Sequence, residues 1–232
     1  MVLNEPAKDD LTELDVCLNG ARDYVQGTQL IARATELIAA KSDTPLTVSA
    51  AAFQHITDRT VFLSRAAPDP DAATVGTVLG TLGLRGADGQ ESWSFIEGPD
   101  HAPRRDVPPD CAYALVPGSQ SDVLSGRFEV SGLSGTESYL VALIQSVKKL
   151  HEGVSDSVTD IWFTGLRGAD IPVGKPFPCS AGMLAVSYRR LMRRDEVWQS
   201  LLAVQLTDPD GAMVTKSAIS FAFKSETRPD VD

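Results

Sequence analysis

A tyrosine and a histidine stand where chemistry could begin. Tyr24 lies in Asp23-Tyr24-Val25-Gln26-Gly27, just ahead of a helical pattern that opens at Thr28. A phenol there can donate a hydrogen bond to a carbonyl or act as a weak acid, or it can simply pack at a helix entry. Asp23 can orient a partner or favour the helix N-terminus electrostatically. His55 lies in Phe53-Gln54-His55-Ile56-Thr57-Asp58-Arg59, inside a strongly patterned element. That makes it the best general-base candidate, set against a structural role in a strand. Strand alternation puts His55, Thr57 and Arg59 on one face and Asp58 on the other. His101 falls in a proline-rich stretch and His151 near a helix end, where both are read as solvated.

Charged residues add further candidates. Glu36 sits beside Leu37 on the first helix pattern; turned inward it would be desolvated and suited to proton transfer, turned outward it is a solvated face. Glu137 opens the second helix, where it can cap or take part in a site. Arg189, Arg190, Arg193 and Arg194 make a basic island in Tyr188-Arg189-Arg190-Leu191-Met192-Arg193-Arg194. They can hold a phosphate or an acidic partner, with Arg104 and Arg105 joining, or form a solvated turn with Asp195 and Glu196.

These residues need elements to carry them. Leu30, Ile31, Ala34, Leu37 and Ile38 form one apolar stripe over Thr28 to Ala40, and Pro45 follows. Ser134-Gly135-Thr136-Glu137 fits a capping box ahead of a second stripe of Tyr139, Leu140, Leu143, Ile144, Val147 and Leu150. Lys148 and Lys149 complement the dipole of its last turn, and Gly153 is a natural stop. Strand patterns fill Thr47 to Phe62, Thr74 to Leu84 and Glu91 to Ile96 after the first helix. Val158 to Leu166, Ala181 to Met192, Val197 to Thr207 and Met213 to Phe223 follow the second. Asp88-Gly89 and Asp210-Gly211 sit between strand patterns as hairpin turns.

One helix followed by several strands, given twice, implies a tandem duplication. The expected units are residues 12–97 and 111–224, joined by a proline-rich crossover over 98–110 and followed by a frayed tail over 225–232. The chain has 232 residues, 43% hydrophobic, which is enough for a sizeable core. A net charge of −10 argues against a nucleic-acid partner. The lack of a long apolar run argues against a membrane span, and the charged Met1 to Asp10 against a signal peptide. Cys17, Cys111 and Cys179 are far apart and read as thiols in a reducing cytoplasm, without a metal site.

The duplicated helix-and-strands pattern resembles the double hotdog arrangement, an α+β fold in which each long antiparallel sheet wraps one central helix. Families sharing it include acyl-carrier-protein dehydratases, polyketide synthase dehydratase domains, acyl thioesterases and A-factor-type butenolide synthases. Asp23-Tyr24-Val25-Gln26-Gly27 resembles the Asp-His-x-Val-x-Gly stretch that opens the polyketide dehydratases, with Tyr24 at the place of their histidine. It is also similar to the Asp-His-Val-Pro-Gly stretch of the A-factor-type synthases, whose helix glutamate corresponds here to Ala32, and in the second unit to Leu140. If Gln145 matches the dehydratase glutamine, the dehydratase aspartate falls on Val141. The resemblance implies an acyl thioester substrate, carried on coenzyme A or an acyl carrier protein, in a polyketide or fatty-acid-derived pathway, and no cofactor. Tyr24 would polarise the carbonyl, His55 would be the base with Asp23 beside it, and amides near Gly27 and Gly135 would hold the oxyanion. Glu137, Arg189, Arg190 and Arg193 would help bind the substrate. A non-catalytic acyl-binding or assembly module is the alternative, and a homodimer stays open.

Overall fold

The computed structural model describes residues 11–20, 23–65, 76–106, 112–116, 125–154, 158–173, 176–194 and 196–225. The first half comprises β1 (Leu11–Leu14), β2 (Leu18–Asn19), α1 (Gly27–Ala39), β3 (Thr47–Phe53), β4 (Arg59–Ser64), β5 (Val78–Gly86), β6 (Gly89–His101) and β7 (Arg104–Arg105). The second comprises β8 (Ala112–Leu115), β9 (Ser125–Ser131), α2 (Thr136–Val154), β10 (Val158–Arg167), β11 (Ile171–Pro172), β12 (Ala181–Arg194), β13 (Val197–Thr207) and β14 (Met213–Ser225).

Both helices pack on one continuous antiparallel sheet, ordered β1-β4-β6-β5-β3-β10-β14-β13-β12-β9-β8, with β11 paired to β3. The apolar stripes decide which helix face turns to the sheet. Leu30, Ile31, Ala34 and Ile38 of α1 are buried, as are Tyr139, Leu140, Leu143, Val147 and Leu150 of α2. Each leucine, isoleucine or valine among them contributes about 1.5–3 kcal/mol of transfer free energy. Tyr139 stacks on Phe177 with ring centroids 5.3 Å apart. Arg33 of α1 meets Glu137 of α2 at 2.9 Å and Glu36 at 2.7 Å, and so ties the two helices together.

The halves join through β3 and β10, where Ala51 faces Leu166 and Ala52 faces Gly165. A Cβ on residue 165 would collide with the Ala51 carbonyl oxygen, so glycine lets the two strands approach. In the main sheet β1 of the first half and β8 and β9 of the second, which precede the helices, lie at the outer edges, and the first strand after each helix lies at the junction. The inner strands differ: β4 is followed in space by β6 and then β5, whereas β12, β13 and β14 run in chain order. The two halves therefore share a frame but not every pairing.

Several expected boundaries shift, each for a physical reason. The long strand expected over Thr47 to Phe62 is broken, because residues 54–58 leave the ladder. The Thr57 hydroxyl turns inward to donate to Glu97 Oε1 at 2.6 Å and to accept the Arg59 amide at 3.0 Å. Strand alternation therefore does not order His55, Thr57 and Arg59. The helix start at α2 is held by Ser138 in place of the expected Ser134–Glu137 box: Ser138 Oγ accepts the amides of Ser134 and Gly135 at 2.8 and 3.1 Å. Gly153 does not stop α2, which runs to Val154. The expected crossover is partly strand: β6 continues to His101, and β7 pairs in parallel with β2. The hairpin turns form as read. Gly86 faces Gly89, and Asp208 Oδ1 accepts the amides of Asp210 and Ala212 at 3.0 and 2.8 Å. The N-terminal stretch to Asp10, Cys111, Asp195 and the expected tail beyond Ser225 lie outside the described residues. No helix among the described residues is long and apolar enough to cross a membrane.

Candidate functional site

A cleft opens where the two halves meet. It is small, with a cavity volume of about 40 Å³, and it is lined from both sides. The first half contributes the start of α1 (Tyr24 to Thr28) and the β3–β4 loop (His55 to Thr57). The second contributes Ile144 and Lys148 of α2, with Ile161 to Phe163 of β10 and Phe221 of β14.

Backbone bonds bring Tyr24 and His55 to the same space. The Val25 amide donates to the Thr57 carbonyl at 2.7 Å, so the entry to α1 is fastened to the loop carrying His55. The amides of Gln54 and His55 donate to the Leu79 carbonyl at 2.9 and 3.3 Å, which fastens that loop to β5. Tyr24 is half-buried and His55 is exposed at the mouth beside Ile56. Gln26 has extended dihedrals and provides no side-chain cap, so its side chain does not occupy the first amides of α1 on the cleft side.

Aromatic rings form the cleft's inner wall. Phe53 and Phe163 lie 5.7 Å apart, Phe163 and Phe221 5.8 Å apart, and Phe53 stacks on buried Phe95 at 5.5 Å. A Cβ on residue 27 would come within 3.0 Å of both Phe163 and Phe53, so glycine at the start of α1 makes room for this wall.

The other sequence candidates lie elsewhere. Asp23 is exposed and pairs with Arg104 at 3.1 Å. Gly135 does not offer its amide to the cleft, contrary to expectation, because Ser138 Oγ already accepts it. Glu137 is engaged by Arg33, and Glu36 shares that arginine with a third of its side chain exposed. Arg189, Arg190 and Arg193 are exposed near the β12–β13 turn and none lines the cleft. The Arg193 guanidinium lies 5.8 Å from the Trp198 ring centroid, and Arg189 borders a separate hollow with Arg127. His101 is exposed and pairs with Asp58 at 3.0 Å.

Three features escaped the sequence reading. Lys148 lines the cleft, one helical turn beyond Ile144; the i, i+4 spacing was the available signal. Trp162 lines it too. His151, expected to be solvated, is fully buried: it lies one turn beyond Val147 on the inner face of α2, against Tyr188, Phe221 and Phe223. Its Nδ1 meets the Val147 carbonyl at 2.8 Å, and its Nε2 meets Ser200 Oγ at 3.0 Å. A carbonyl only accepts, so Nδ1 carries the proton and Nε2 accepts from the serine. The rings of Phe223, Tyr188 and Phe221 stand 4.8, 5.4 and 5.7 Å away. Burial pushes its pKa down to about 4, against the bond to Val147.

Neither a protein-family model nor a curated protein matches the sequence. Solved structures do. A TesB protein of Mycobacterium avium subsp. paratuberculosis superimposes with a TM-score of 0.55 at 11% identity, covering 94% of this chain and 95% of that one. An acyl-CoA thioesterase II of Mycobacterium marinum gives 0.54 at 10% identity, covering 96% of each chain. The dehydratase domain of the polyketide PpsC from Mycobacterium tuberculosis gives 0.52 at 11% identity, covering 93% and 92%. The chain has the double hotdog fold expected from its sequence, α+β with one long antiparallel sheet and two helices among the described residues.

Proposed function

We propose that the protein is an enzyme acting on an acyl thioester, carried on coenzyme A or an acyl carrier protein, by dehydratase- or isomerase-type chemistry. A cytoplasmic polyketide or fatty-acid-derived pathway is the expected setting. One observation carries the reading: the Tyr24–Gly27 segment and His55, separated in sequence, line a single cleft with an apolar aromatic wall. The fold, shared with a thioesterase and a polyketide dehydratase domain, supports it by analogy.

In this mechanism Tyr24 donates a hydrogen bond to the thioester carbonyl, and the first amides of α1 share the developing oxyanion. His55 takes the α-proton. In dehydration the β-hydroxyl leaves as water with a proton from the imidazolium or the phenol, and the Cα–Cβ double bond forms. In isomerisation the proton returns to a different carbon. Asp23 would favour the α1 start electrostatically. Arg189, Arg190 and Arg193, outside the cleft, would receive the acidic face of a carrier protein.

A second reading, a non-catalytic acyl-binding module, is favoured by one observation. Ala32 and Leu140, which match a carboxylate position in the resemblance, are fully buried apolar residues, and no carboxylate among the described residues lines the cleft. The test is a panel of hydroxyacyl, enoyl, ketoacyl and malonyl thioesters, followed by mass spectrometry with wild type, Tyr24→Phe and His55→Asn. Conversion of a hydroxyacyl or enoyl substrate that drops about 10²–10⁴-fold in either variant supports catalysis. Binding without any mass change in wild type would establish the second reading instead.

A further inference from the structure

The aromatic wall of the cleft is held in place from behind. Phe53 of β3 is wedged between two glycines: a Cβ on residue 27 would come within 3.0 Å of its ring, and one on residue 80 within 2.9 Å. The same ring stacks on buried Phe95 at 5.5 Å. Phe163 of β10 meets Phe53 at 5.7 Å and Phe221 at 5.8 Å. Phe221 is buried in turn and packs on the His151 ring at 5.7 Å. Each ring is backed by another, so a guest that lengthened would meet close-packed core.

Phe163 reaches the cleft through an irregularity of its strand. Ile161, Trp162 and Phe163 are consecutive, yet all three line the cleft, whereas a regular strand turns every second residue away. The β10–β14 register slips at this point. Thr159 faces Lys224 and Trp162 faces Ala222, so three steps along β10 match two along β14. Asp160, inside this bulge, has a φ of 47°, a left-handed conformation that residues other than glycine seldom adopt. Bulges beside sites re-aim side chains in this way.

About 40 Å³ of space is left in front of the rings. A water-sized group needs about 10–15 Å³, so about three such groups fit, and a methylene is about as large as a water. The proposed chemistry needs a Cα and a Cβ beside the thioester carbonyl. We propose that the site admits short acyl groups, of about three to five carbons, and that Phe163 sets the limit. This rests on the thioester reading above and specifies its substrate.

The test is a series of saturated coenzyme A thioesters, propionyl, butyryl, hexanoyl and octanoyl, which share one carrier arm and differ only in acyl length. Affinity is read from tryptophan fluorescence; Trp162 lines the cleft, while Trp93 and Trp198 do not. An open acyl tunnel would tighten binding about fourfold per buried methylene, about two-hundredfold from butyryl to octanoyl. Wild type should gain nothing over that interval. Phe163→Ala should restore a rise through hexanoyl and octanoyl, and Phe163→Leu part of it, with melting temperatures checking that both are folded. Should Phe163→Ala not fold, the wild-type series and Phe163→Leu still decide. A continued rise to octanoyl in wild type would overturn the proposal and leave the thioester reading standing. A limit at butyryl that both folded variants share would overturn the assignment to Phe163. Failure of every thioester to bind would overturn the proposal and the thioester reading together.

Discussion

His151 sets an acid limit on the stability of the second half. Its imidazole is fully buried, donates to Val147, accepts from Ser200 and is ringed by Phe221, Phe223 and Tyr188. A proton added to Nε2 would bring a charge into this environment and break the bond from Ser200. Tyr188, the titratable member of that ring set, is itself pushed upward by burial and stays neutral. Burial lowers the folded pKa of His151 from 6.5 to about 4, partly opposed by the Val147 carbonyl. Above pH 6.5 both folded and unfolded chains hold the histidine neutral, and its full contribution is present. Between pH 6.5 and about 4 only the unfolded chain takes the proton, so stability falls by about 1.4 kcal/mol per pH unit. Below that, the folded state is protonated too and this group causes no further loss. The whole interval amounts to about 3 kcal/mol, a large share of ordinary domain stability. The assay is urea unfolding at pH 7.5, 6.5, 5.5 and 4.5 for wild type and His151→Phe. The variant loses the bonds to Val147 and Ser200 and should start about 1–3 kcal/mol lower. The decisive quantity is the slope. Wild type should lose about 2–3 kcal/mol more than the variant between pH 6.5 and 4.5, since the carboxylates titrate in both. Parallel curves would refute the reasoning.

Three further substitutions probe the frame and the cleft. Gly27→Ala should cost about 1–3 kcal/mol in thermal unfolding, because its Cβ falls 3.0 Å from Phe53 and Phe163, and ligand affinity should fall as the aromatic wall shifts. Gly165→Ala should destabilise by a similar amount or more, since its Cβ meets a backbone carbonyl across the junction where side chains cannot move aside; an unchanged melting temperature would contradict the close approach. Arg33→Met should cost no more than about 1 kcal/mol, because Arg33 and its partners Glu36 and Glu137 are all about a quarter to a third exposed; chemical denaturation checks it.

What the sequence made legible was local. Leu30, Ile31, Ala34 and Ile38 share a helix face by spacing alone, and Asp208-Pro209-Asp210-Gly211 announces its turn by the side chain that closes it. Tyr24 and His55 could be singled out because each is an unusual residue type in its segment. Their sharing of one cleft depends on the Val25–Thr57 bond, which no local pattern encodes. The strand break at residues 54–58 was hidden because the alternation continues through it. It depends on Glu97, forty residues away, receiving the Thr57 hydroxyl. The exchange of β5 and β6 was equally hidden, since a hairpin signal names partners without saying which side docks on the sheet. Lys148 and His151 lie within the helix the sequence predicts, four residues beyond Ile144 and Val147; what went unread is that the inner face of α2 continues to them.

The two halves differ at the starts of their helices. Both open a helix with a glycine, Gly27 and Gly135, yet the surroundings of those glycines are opposite. At Gly27 the chain withholds a side-chain cap and uses the missing Cβ to seat Phe53 and Phe163 behind a cleft. At Gly135 a serine hydroxyl has closed on the amides, and the residue is buried. Tyr24, His55 and the start of α1 thus reach the cleft from the first half, and Lys148 with part of the aromatic wall from the second. Phe221 belongs to that wall and also packs on His151, so the cleft borders the same buried cluster that limits acid stability. A chain cut at the β3–β10 seam would lose one side of the cleft whichever half were kept. The cleft belongs to the junction, where Gly165 lets β3 and β10 meet.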